Sequence, residues 1–136
     1  MILLAAVSLV VAVSITTMAF TESFVSQSSA QSSRALLYAE SGARDALIKI
    51  ARNKNFTCST TDCYSMDFSA NGCALNEGCA KISVSAGTGA TGVPKVITSK
   101  GIMRSSTRTI QVLVTLDSGG ASDGVITNAV WSEVVN

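Results

Sequence analysis

The chain opens on MILLAAVSLVVAVSITTMAF, twenty residues with no charge, no proline and no glycine. At about 1.5 Å per residue this run predicts a helix about 30 Å long, the thickness of a bilayer's hydrocarbon core. The polarity then changes twice with nothing to stop the helix. TESFVSQSSAQSSRALLYAESGARDALIKIARN holds no proline and a single glycine, Gly42, so the helix is expected to continue to about residues 53–55. Ser26 to Ser33 are small and mostly polar, whereas Leu36, Ala39, Ala43, Leu47 and Ile50 then recur every three or four residues, with Leu37 and Ala46 widening the stripe. Such spacing predicts one buried face on an otherwise solvated helix. Glu40 with Arg44 and Asp45 with Lys49 form i,i+4 pairs, acid first, on its wet side. One helix thus faces two solvents, and its uniformly apolar start needs a bilayer or other copies of itself.

Beyond the helix, NKNFTCSTTDCYSMDFSANGCALNEGC has turn composition and no sustained period, and is expected to be a connecting loop. AKISVSAG then places Ile82, Val84 and Ala86 on one side; VITSKGIM is a second strand run; and TRTIQVLVTLD alternates Ile110, Val112, Val114 and Leu116 against Thr109, Gln111, Leu113 and Thr115. GTGATGVP and RSS are turns of antiparallel length. After a SGGASDG hinge, VITNAVWSEVV is a further strand candidate with Trp131 as its anchor. The expected fold is α+β: a long N-terminal helix, apolar then amphipathic, packed on an antiparallel sheet of three to four strands. Its boundaries are a hydrophobic membrane or filament-core helix over 1–24 and a globular head over 25–136.

Composition narrows the chemistry. The chain has 136 residues, a net charge of +1 and no histidine, so the commonest general base and metal ligand is missing. The basic residues are scattered and aromatics are sparse, so nucleic-acid binding is not indicated. Asp62 with Asp67 and Arg104 with Arg108 read as solvated faces or sheet pairs, and no catalytic, cofactor or metal residue is assigned. Asn55-Phe56-Thr57 matches a glycosylation acceptor but reads as an ordinary polar loop. Cys58, Cys63, Cys73 and Cys79 fit neither a zinc ribbon nor a redox dithiol, and predict two structural disulfides in an oxidising compartment. Three pairings are open, of which the sequential one closes short local loops.

The uncharged N-terminal helix running into an amphipathic one, the AESGARDAL stretch, and ITSKGIMRSSTRTIQVLV ahead of the last strand together resemble the type IV pilin and pseudopilin family. That resemblance implies a structural, non-enzymatic subunit of an extracellular pilus-like filament, held in the cytoplasmic (inner) membrane before assembly and handled by pilus assembly machinery. It also implies motility, adhesion or DNA uptake, without choosing among them. Filament contacts would come from Met1, Ile2, Leu3, Leu4, Val7, Leu9, Val10, Val11, Val13, Ile15 and Phe20 packing against other copies in a helical homopolymer. Met1 would be the first mature residue, exposed by removal of a basic leader and carrying a methylated amine.

Two departures from the family pattern matter. Ala5 stands where filament-forming pilins generally carry a glutamate that pairs with a neighbour's amine. Ser14 and Glu22 stand near the places of a helix-loosening proline and glycine, and the sole proline is Pro94. These departures point toward a minor or tip subunit. The alternatives carried forward are a membrane-anchored minor pilin or pseudopilin and a single-pass adhesion module.

Overall fold

The computed structural model describes residues 2–119 and 123–135, with side chains described from Phe20 onward. In chain order the elements are α1 (Ile2–Arg52), β1 (Tyr64–Asp67), α2 (Gly72–Leu75), β2 (Glu77–Val84), β3 (Lys95–Met103), β4 (Ser106–Leu116) and β5 (Ile126–Val134). The strands form one antiparallel meander in the order β1-β2-β3-β4-β5. The architecture is α+β, as the hydrophobic pattern implies, with five strands in place of three to four. Packing divides the chain into two units, Met1–Ala30 and Gln31–Asn136.

In the second unit the amphipathic part of α1 lies on the sheet through its smallest residues. Ala39, Ala43, Ala46 and Ile50 are fully buried and meet Ala80, Ile82, Val84, Ile97, Val112 and Val114, while Ala35, also fully buried, lies over Gly101. The branched side chains of that core each contribute roughly 1.5–3 kcal/mol by leaving water. The alanines bury less area, but they let the helix axis come close to the strands. Two glycines set that approach. A Cβ on Gly101 of β3 would collide with the Ala35 carbonyl oxygen and lie 2.5 Å from the Ala39 nitrogen; one on Gly42 would lie 2.5 Å from Ser99 Oγ and 3.0 Å from Ala80 Cβ. Gly42 therefore offsets its helix-propensity cost by permitting contact.

Three expectations are corrected. Leu37 does not widen the buried stripe: it is 59% exposed, because it lies about 200° round the helix from Ala35 and Ala39 at 100° per residue. The cysteine-rich connection is not merely a loop, since it contains β1 and α2. Tyr64 and Met66 supply β1's alternation, too short to register as a period, and Tyr64 pairs with Ile82 while Asp67 pairs with Cys79. Trp131 does sit on a strand, but β5 is an edge and Trp131 stays 41% exposed, so it is no core anchor. The strand alternation itself holds: Ile82, Val84, Ile110, Val112, Val114 and Leu116 all point into the core, although Ala86 lies beyond the end of β2 and is exposed.

Candidate functional site

The assembly residues expected from the sequence fall mostly where side chains are not described. Met1 lies outside the described residues, and Ile2, Leu3, Leu4, Val7, Leu9, Val10, Val11, Val13 and Ile15 have a helical backbone but lie outside the described side chains. Phe20 is described and is 74% exposed. The same holds along the next stretch, for every side chain from Phe20 to Ala30 is exposed, including Phe24 and Val25. Thr21, Glu22, Val25 and Ser26 line a shallow depression there of about 320 Å³. Among the described residues no helix is long and apolar enough to cross a membrane.

Both disulfides form, joining Cys58 to Cys63 and Cys73 to Cys79, with Cα separations of 5.7 and 4.6 Å. The first closes a loop within the connection after α1, and the second ties that connection to β2. At one end Cys58 exchanges backbone hydrogen bonds with Val84, at 2.9 and 2.8 Å. At the other, Cys79 belongs to β2 itself, and Cys73 sits on α2, where its amide donates to the Asp67 carboxylate at 2.5 Å. Aromatic contacts complete the stitching. Tyr38 of α1 stacks on Phe68 with centroids 4.6 Å apart, and Phe56 meets Tyr64 edge-on.

The polar groups picked out in the sequence are drawn into separate structural contacts. Asp62 pairs with Lys81 at 3.6 Å, Arg104 with Glu77 at 3.7 Å, and Arg108 with Glu133, while Arg108 also donates to Ser32 Oγ at 3.3 Å. Asn55 is exposed. Glu40 lies 3.8 Å from Arg44, and Asp45 is 2.7 Å from Lys49. Lys49 also lies 3.6 Å over the Tyr64 ring. Burial first, and the neighbouring Asp45 carboxylate second, push the Tyr64 hydroxyl pKa up, so this phenol is neutral across the physiological range.

Two polar residues inside the core were not singled out by sequence reasoning. Lys95 is 1% exposed and donates to the Phe56 carbonyl at 3.1 Å, and burial lowers its pKa. Ser99 is fully buried against the helix, its hydroxyl without a hydrogen-bond partner among the described residues. Both occupy inward positions of β3, alternating with Val96, Thr98 and Lys100, but since neither face of that strand is the more apolar, the alternation alone does not say which one is buried. They explain how the head is built and do not converge on one another as a reactive pair. Among the described residues no three His, Cys, Asp or Glu side chains come together in a way that could hold a metal ion. Comparison of the chain with protein-family models, with curated proteins and with solved structures returned no match.

Proposed function

We propose that the protein is a non-enzymatic structural subunit of an extracellular type IV pilus-like filament, in which the first part of α1 packs against the same helix of other copies. The observation that carries this reading is the exposure of Phe20, Phe24 and Val25, at 74, 77 and 63%, directly after the uncharged opening run. Large apolar side chains on a helix that also carries a folded head need a cover, and a bundle of identical helices supplies one. A dozen such side chains at roughly 1.5–3 kcal/mol each exceed what a marginally stable domain can leave in water. A membrane holds the same helix before assembly. Moving from lipid to bundle gains little hydrophobic energy, so small-residue packing and the assembly machinery must complete the transfer.

The disulfides support an oxidising location for the head. A minor or tip subunit, or a pseudopilin held at the membrane, is the second reading, and Ala5 favours it because filament-forming pilins generally carry a glutamate at the matching place. The experiment is Val10→Asp in the full-length chain expressed with its assembly system. A carboxylate at that depth costs about 2.5–3.5 kcal/mol on insertion scales. Electron microscopy of sheared surface material should then show no filaments containing the subunit, with the head still folded. Normal incorporation of the variant would overturn the reading.

A further inference from the structure

The face of the sheet turned away from α1 carries an electrostatic conflict. Register places Lys81 of β2 directly opposite Lys100 of β3, and Lys100 in turn opposite Thr109 of β4. Like charges opposite one another on adjacent strands are destabilising. Asp62 answers Lys81 at 3.6 Å, but among the described residues Lys100 has no ion pair. The two lysines border a hollow of about 340 Å³ whose remaining wall is one carboxylate, Asp62, and the hydroxyls of Ser59, Thr61, Ser83, Thr98 and Thr109. Lys100 and Thr109 also border a second hollow of about 450 Å³, so the two adjoin as one trough; Arg108 and Glu133 of its lining pair with each other, and Arg108 also donates to Ser32 of α1, so neither adds free charge.

We infer that this trough binds an anionic sugar chain, with a carboxylate, sulfate or phosphate of the ligand seated between Lys81 and Lys100. An anion there turns the repulsive pair into two charge-assisted hydrogen bonds. The ring of Ser and Thr hydroxyls can both donate and accept, which suits the alternating donors and acceptors of a saccharide. The lining of both hollows contains no aromatic side chain. A single-stranded nucleic acid would find no stacking platform, and the cations are too few for a duplex. Asp62 is the site's internal competitor, holding Lys81 while the trough is empty. This site lies on the sheet and does not rest on the filament reading.

The test uses the full-length chain in detergent micelles. Its probes are oligogalacturonate, sulfated dextran oligomers, neutral dextran oligomers and oligothymidylate, with binding read by titration calorimetry. At low salt, one or both anionic sugars should bind, and Lys100→Gln should weaken that binding roughly ten-fold, as loss of one charge-assisted contact does. Asp62→Asn should tighten it, since it releases Lys81. Lys100→Gln should also leave the thermal midpoint unchanged or higher, because it removes a repulsion; a merely structural lysine would lower it. Which charged sugar binds better separates a carboxylate from a sulfate ligand. Neutral dextran binding as well as the charged sugars, oligothymidylate binding as tightly as they do, Asp62→Asn weakening the interaction, or no binding by any probe would each overturn the proposal.

Discussion

Between Ala35 and Ile50, helix α1 buries alanines against a sheet that offers Gly101 at the closest approach, whereas between Phe20 and Ala30 all its side chains are exposed and three of them are large and apolar. Both stretches belong to one run of helical backbone. Helix propensity therefore accounts for neither surface. In the later stretch small residues serve proximity: each alanine gives up burial area so that strands carrying Ile82, Ile97 and Val112 can reach the helix. In the earlier stretch Phe20, Phe24 and Val25 are exposed, and the proposed filament reading gives them other copies as their cover. The size of the side chain, more than its polarity, separates the helix stripe buried on the sheet from the exposed one.

Substitutions that exchange the two logics should break the fold in one stretch and spare it in the other. The largest effect is expected at the close approach. Gly101→Val places branched carbon where the Ala35 backbone lies, and should cost about 3 kcal/mol or more, read as a lowered urea midpoint or as loss of the folded head. An unchanged midpoint would mean that the helix can lift off the sheet at little cost, and the proximity account would be wrong.

Next in size is the stitching at β2. Cys73→Ser with Cys79→Ser opens a loop of sequence separation 6 and should lower stability by about 2 kcal/mol in chemical denaturation. On the filament reading, association through the earlier stretch should persist, which distinguishes a head defect from an assembly defect.

A pH titration gives a smaller, signed effect. Burial lowers the Lys95 pKa in the folded chain, so the unfolded chain binds more protons in the window from that lowered value up to the ordinary 10.5. Stability should therefore rise with pH through that window. Tyr64 works oppositely: its raised pKa means the folded chain keeps a proton that the unfolded chain releases above its ordinary 10.0, so stability should fall beyond that point. Denaturation midpoints measured across the alkaline range should show the rise, and Lys95→Met should flatten it. Phe24→Ala, on the exposed stretch, should leave the curve in place and change head stability by less than about 0.5 kcal/mol.

Sequence periodicity reached the helix, strands β2 to β4 and the inward residues of β2 and β4, because those two strands alternate apolar with polar side chains; β3 was found as a run whose inward face it did not identify. It missed β1, whose four residues sit among cysteines and turn formers and owe their pairing to the edge offered by β2. It assigned Leu37 to the core from hydrophobicity and spacing, when angular position excluded it. Trp131 misled for a topological reason, since an edge strand buries a large side chain only if the helix reaches over it, and no local pattern encodes that. The repulsive Lys81 and Lys100 pair was equally hidden. Each lysine looks like an ordinary solvated residue until the β2–β3 register places them side by side.

The proposed division of α1 into a stretch that builds the head and a stretch that packs against other copies is tested most directly by removing the second and watching both properties. A chain beginning at Val25 and the full-length chain, each transferred out of detergent, can be compared by sedimentation velocity, electron microscopy and circular dichroism. The shortened chain is predicted to be a folded, soluble monomer, while the full-length chain associates through its helix. A shortened chain that still polymerises would show that the assembly contacts lie in the head. One that unfolds would show that the opening stretch belongs to the head's own core.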